Sequence, residues 1–166
     1  MKKIIVALVA VFAVALGANA QKFGHVDTQN IMQNLPELTK VNGELQAIAQ
    51  QYENDLKAMQ EELERKAQEF EKNKATMSAT AQEEQQKTLQ DMYAKIQQTA
   101  QQNQQEFQKQ QAEKMQPIQQ KIMTAIQNVG KAGQYTYIFE QGAALYIGPG
   151  SKDVTADVKA EINKLK

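Results

Sequence analysis

The side chains that could do chemistry are few and scattered. His25 is the only histidine and the chain has no cysteine, so disulfides, thiolate metal sites and a Cys–His nucleophile are excluded. His25 falls in a stretch that reads as a strand, with no second histidine to share a ligand, and is read as a polar strand residue. Glu61-Glu62 and Glu83-Glu84 are paired carboxylates in sequence, but adjacent helical residues point apart and face solvent. Gly142, Gly148 and Gly150 lack both the G-x-G-x-x-G spacing and the Lys-Ser/Thr ending of a phosphate loop. The sequence predicts no catalytic group, no cofactor and no metal.

What it offers instead is soft apolar contact. Met59, Met77, Met92, Phe107 and Met115 recur along the middle of the chain. Methionine is flexible and polarizable, which suits a surface that accepts many apolar partners. The same side chains could instead fill a seam between two helices, and for Met59 and Phe107 that reading is preferred. Met77, at a turn, and Met92, one position off the seam, are the stronger candidates for exposed contact.

Two long helices must position these residues. Ile48, Tyr52, Leu56, Met59, Leu63, Ala67 and Phe70 return to one helical face in steps of three and four. Leu89, Tyr93, Ile96, Ala100, Asn103 and Phe107 repeat the pattern more loosely, and Met115, Ile118, Ile122, Ile126 and Val129 restore it. Between the halves, Thr80-Ala81-Gln82-Glu83 fits a capping box, so a hairpin is predicted over residues 38–116. One unbroken rod is the alternative, because a cap signal does not forbid continuation. Nine of the fifteen residues from Gln97 to Gln111 are glutamine, which makes the returning arm wet and compliant. Pro117 predicts a kink near Met115.

The ends read differently. Lys2 and Lys3, the apolar run Ile4 to Leu16 and Ala18-Asn19-Ala20 form a signal peptide, residues 1–20, with cleavage expected after Ala20. The mature chain would begin at Gln21 with no transmembrane segment, and without Lys2 and Lys3 it has 17 basic against 19 acidic residues. A net charge of −2 and a single arginine, Arg65, give no footprint for nucleic acid. Phe23 to Asp27 predicts a strand and Thr28 caps a brief helix that Pro36 ends. Gly130 and Gly133 stop the second long helix. Tyr135-Thr136-Tyr137-Ile138-Phe139 and Ala144-Leu145-Tyr146-Ile147 predict two more strands joined by a turn at Gln141-Gly142, and Thr155 caps a last helix. Residues 21–37 and 117–166 would form a small β-containing body whose open edges and thin core invite self-association, with no copy number fixed by physics. Phe23, Val26, Tyr135, Tyr137, Ile138, Phe139, Leu145, Tyr146 and Ile147 are the candidates for that contact.

Gly24-His25-Val26-Asp27-Thr28, Ala144-Leu145-Tyr146 and Asp153-Val154-Thr155-Ala156-Asp157-Val158, with the helical hairpin between them, resemble the Skp/OmpH family of periplasmic chaperones. The resemblance implies an α+β, mostly α fold: a long antiparallel helical hairpin on a small β body that assembles as a homotrimer. It implies a periplasmic, ATP-independent chaperone, not an enzyme, that holds unfolded outer-membrane β-barrel proteins in a cavity between helical arms. Transient proximity to the membrane would follow from that role. Familiar members are strongly basic whereas this chain is nearly neutral, so no lipopolysaccharide site is carried over. The alternative is an exported coiled-coil tether that binds one folded envelope partner. A prefoldin-like cytosolic chaperone shares the hairpin plan but conflicts with the signal peptide.

Overall fold

The computed structural model describes residues 21–165, so the predicted signal peptide lies outside the described residues. The element order is β1 (Phe23–Val26), α1 (Thr28–Gln33), α2 (Pro36–Asn73), α3 (Ala79–Ala132), β2 (Tyr137–Glu140), β3 (Ser151–Asp153) and α4 (Thr155–Ile162). Short 3-10 turns occupy Lys74–Thr76 and Gln141–Ala143. Contacts divide the chain into two compact units, residues 35–119 and the residues up to Asn34 with those from Gln120 onward.

The unit of residues 35–119 is an antiparallel helix pair. Glu44 meets Lys114 at 2.7 Å, Met59 lines one notch with Met92 and Ile96, and the Gln82 side-chain amide donates to the Lys74 carbonyl at 3.0 Å. The paired numbers add to nearly one value, which only antiparallel pairing about a turn near Met77 produces. Pro36 begins α2 rather than ending the preceding turn; its missing N–H costs nothing at a helix start. The cap of α3 is Ser78, whose Oγ accepts the Ala81 N–H, and not Thr80, which lies inside the helix. Gln82 closes the turn by donating also to the Met77 carbonyl. Pro117 lies within α3 without ending it. The large residues buried in this unit are Leu35, Leu45, Phe70, Ile96 and Ile118.

The other unit holds a three-stranded sheet in the order β2-β1-β3, parallel throughout. The predicted strand Ala144–Ile147 is not one: those residues are irregular, and the third strand is Ser151–Asp153. A tight turn at Gln141-Gly142 would have made β2 and its successor antiparallel. The chain instead uses residues 141–150 to cross β1 and pair in parallel on its far side. Asp27, not Thr28, caps α1, its carboxylate accepting the Asn30 N–H at 2.7 Å. Thr155 does not cap α4; its hydroxyl accepts the Asp27 N–H, and Asp153 accepts the Thr155 N–H at 2.8 Å. Val26, Ile31, Ile122, Ala125, Val154, Val158 and Ile162 form the core of this unit, with α4 packed on β1 and α1.

The end of α3 is fixed by two bonds. Gly130 stays inside the helix, which runs to Ala132. The Tyr135 N–H then reaches the Gly130 carbonyl at 3.0 Å and the Gln134 N–H the Lys131 carbonyl at 3.2 Å, a Schellman motif with Gln134 left-handed at φ 52°. Tyr135 folds back over Gly133, where an added Cβ would stand 2.4 Å from its ring. Gly133→Ala should therefore destabilise the unit by about 1–3 kcal/mol, as overpacking does, whereas Gln134→Gly should stabilise it by up to about 1 kcal/mol by relieving the left-handed backbone. Urea denaturation of the two variants beside the parent checks both signs.

Candidate functional site

Two surfaces could engage a partner. The first is the outer face of the sheet. Along β1, Gly24 and Val26 are buried while Phe23 and His25 alternate with them on the opposite face. In register with these lie Tyr137 and Phe139 of β2 and Ser151 and Asp153 of β3. Phe23 stacks on Tyr137 at 6.1 Å and Tyr137 on Phe139 at 5.7 Å, so three rings make a ladder. Tyr137 is 56% exposed and Phe139 51%. Beside the ladder, Phe23, Phe139, Tyr146 and Ile147 line a cavity of about 330 Å³, and Leu145 and Tyr146 are exposed.

The structure thus separates the nine body candidates. Val26 belongs to the unit's own core. Tyr135 packs against Gly133, within reach of Gly24 and under the Lys22 ammonium, and Ile138 leans toward Gly130. Phe23, Tyr137, Phe139, Leu145, Tyr146 and Ile147 lie on or beside the outer sheet face. Sequence alternation separates the two faces of β1 and β2. The loop placement of Leu145 and Tyr146 has no such signal.

His25 joins two strands on that face, its Nδ1 3.0 Å from the Ser151 Oγ. Asp153 sits opposite His25 in the register, and its carboxyl is held below the usual range by the side-chain and backbone donors of Thr155. Among the described residues no group of three His, Asp or Glu side chains could hold a metal.

The second surface is on the helix pair. Ala58, Met59, Glu62, Met92, Lys95 and Ile96 line an apolar notch of about 340 Å³. The spacing puts Tyr93 on the seam and Met92 off it; the structure reverses them. Met92 is half-buried in the notch, and Tyr93 is turned out, 57% exposed. Steps of three and four from Leu89 to Ile96 serve either residue equally, and the tyrosine, with a hydroxyl to hydrate, takes the wet side. Met77, Phe107 and Met115 are each half-buried, away from this notch. Most glutamines from Gln97 to Gln111 are exposed. Glu44 and Lys114 tie the helices together, and the lysine's hydrogen bond holds the Glu44 carboxyl below its ordinary range. No helix of the described residues is long and apolar enough to cross a membrane.

A family model described as outer membrane protein (OmpH-like) matches residues 22–162. The chaperone protein Skp of Yersinia enterocolitica is 28% identical over 164 residues, 98% of this chain and 99% of that protein. A crystal structure described as an OmpH-like outer membrane chaperone from Caulobacter crescentus CB15 superposes with a TM-score of 0.76 at 22% identity, over 89% of this chain and 87% of the other.

Asp153 supplies a test of the sheet's outer edge. Its lowered pKa contributes stability that is complete above the unfolded value near 3.9 and is lost as pH falls through the lower folded value. Asp153→Asn should therefore lower Tm at pH 6 and leave a smaller drop in Tm between pH 4 and pH 2 than the parent shows. Calorimetry across that range checks the difference.

Proposed function

This chain belongs to the OmpH-like outer membrane protein family, and from that premise we propose that it is a nucleotide-independent holding chaperone of the periplasm. Its clients would be unfolded outer-membrane β-barrel proteins, held after export and before insertion. The observation that carries this reading is how little the long helix pair buries. Thirty-eight residues of α2 bury only Leu45 and Phe70, while Met59, Met92 and Ile96 border an open apolar notch. Such a surface offers many weak apolar contacts on a hydrated wall, the kind that retain a sticky chain without fixing it.

A barrel strand exposes alternate apolar side chains that aggregate when unprotected. Each contact with a methionine or isoleucine is weak and breaks easily, so release needs no nucleotide. Retention comes from number and enclosure, which raise effective concentration. Enclosure in turn asks for several copies. The uncovered ladder of Phe23, Tyr137 and Phe139 is a face that a homotrimer would bury, and copies joined there would contribute separate arms to one client site. Nothing in this scheme breaks a bond of the client, and the protein acts as a binder rather than an enzyme.

The direct test dilutes a urea-denatured membrane barrel protein into buffer with the mature chain and follows light scattering. Scattering should be suppressed near one assembly per barrel, equally with and without ATP. Met59→Gln with Met92→Gln should weaken suppression several-fold. Undiminished scattering, with tight binding of one folded envelope protein instead, would mean a tether.

A further inference from the structure

The helix-pair unit carries its charge unevenly. Between Glu53 and Ile96 there are ten acidic residues against seven basic, a net charge of −3, while the rest of residues 35–119 has four acidic against three basic. Some carboxylates in this half are neutralised on their own helix. Arg65 forks to Glu62 and Glu69, Lys57 lies 3.9 Å from Glu61, and Lys74 lies 3.6 Å from Glu71. Glu83, Glu84 and Asp91 on α3 are exposed, and no ion pair among the described residues includes them.

The apolar notch lies in this same half. Met59 comes from the α2 side and Met92, one residue beyond Asp91, from the α3 side, with Ile96 buried behind. At its rim Glu62 is already occupied by Arg65 and Lys66, and Lys95 is exposed. A ligand here meets apolar surface first and, at about 0.01 M salt where the Debye length is about 30 Å, the net negative charge of the surrounding half. The same half of a second copy carries the same −3 and is repelled, which leaves an oppositely charged chain as the fitting occupant.

We infer that the turn-proximal half of the hairpin selects unfolded segments in which an apolar side chain is flanked by lysine or arginine. The notch supplies the contact area and the surrounding carboxylates supply the choice, since charge complementarity governs specificity and encounter more than raw affinity. This rests on the holding function proposed above and goes further by naming the sequence character of the preferred client segment. An acidic client would meet repulsion where a basic one meets attraction. The preference must fade with salt, because Glu83, Glu84 and Asp91 are exposed.

The experiment uses the full mature chain and three labelled, unfolded peptides followed by fluorescence anisotropy. One has alternating Leu and Phe flanked by Lys, the second has the same core flanked by Glu, and the third has Lys flanks on a Ser core. At low salt the Lys-flanked apolar peptide should bind about tenfold tighter than the Glu-flanked one, a difference of about 1.4 kcal/mol. The ratio should approach one at molar salt. Glu83→Gln with Glu84→Gln and Asp91→Asn should shrink the ratio, while Met59→Gln with Met92→Gln should weaken both apolar peptides alike. Equal or tighter binding of the Glu-flanked peptide overturns the inference. So does equal binding of the Ser-core peptide, which would mean charge alone. The salt series on the unmutated chain decides the matter even if a variant misfolds. Suppressed barrel aggregation without any basic preference sinks this inference and leaves the holding function standing, whereas no suppression sinks the function itself.

Discussion

A sheet covered on one face only is the constraint from which the rest follows. Helices pack against the Val26 side of β1, while on the other side Tyr137 and Phe139 stay more than half exposed and Phe23 is half-buried. A two-layer arrangement normally hides the apolar face of each layer. Here a three-ring ladder stays in water, where full burial of one such side chain is worth about 1.5–3 kcal/mol. The edges compound the problem, since β2 and β3 each have one unpaired side. The self-association proposed above would bury these rings.

The helix pair has the opposite economy. Leu35, Leu45, Phe70, Ile96 and Ile118 are its buried large residues, spread over more than eighty positions. Such sparse burial cannot outweigh the entropy of ordering that length by much, so local opening is cheap along the seam. The Glu44–Lys114 pair and the Gln82 bonds at the turn therefore fix register more than they add stability. Low seam density is also what leaves Met59 and Met92 accessible. Stability and reach are exchanged here in the same residues, and the glutamine-rich stretch keeps the exposed wall soluble.

Periodicity carried the long elements well because a helix repeats its signal many times. Ile48, Tyr52, Leu56, Met59, Leu63 and Ala67 are all at least half-buried, ending at the buried Phe70, as their spacing implies. The family signal in the terminal segments was equally plain, and it is met by the match over residues 22–162. Short elements were harder. Ala144–Ile147 has the composition of a strand, yet Ser151–Asp153 pairs instead, because register with β1 is a tertiary choice that local propensity does not see. Caps slipped by one or two residues, to Asp27 and Ser78, where neighbouring Thr residues offered the same chemistry. At the notch, Met92 and Tyr93 compete for one helical position, and only the packing decides between them.

The proposed holding function requires the exposed sheet face to be an interface between copies. Native mass spectrometry of the mature chain at low micromolar concentration tests that most directly. It should show one dominant species of three copies, which Tyr137→Asp with Phe139→Asp converts to single chains that keep their helical content. A parent chain that flies as a monomer, or a variant whose assembly is unchanged, would contradict it.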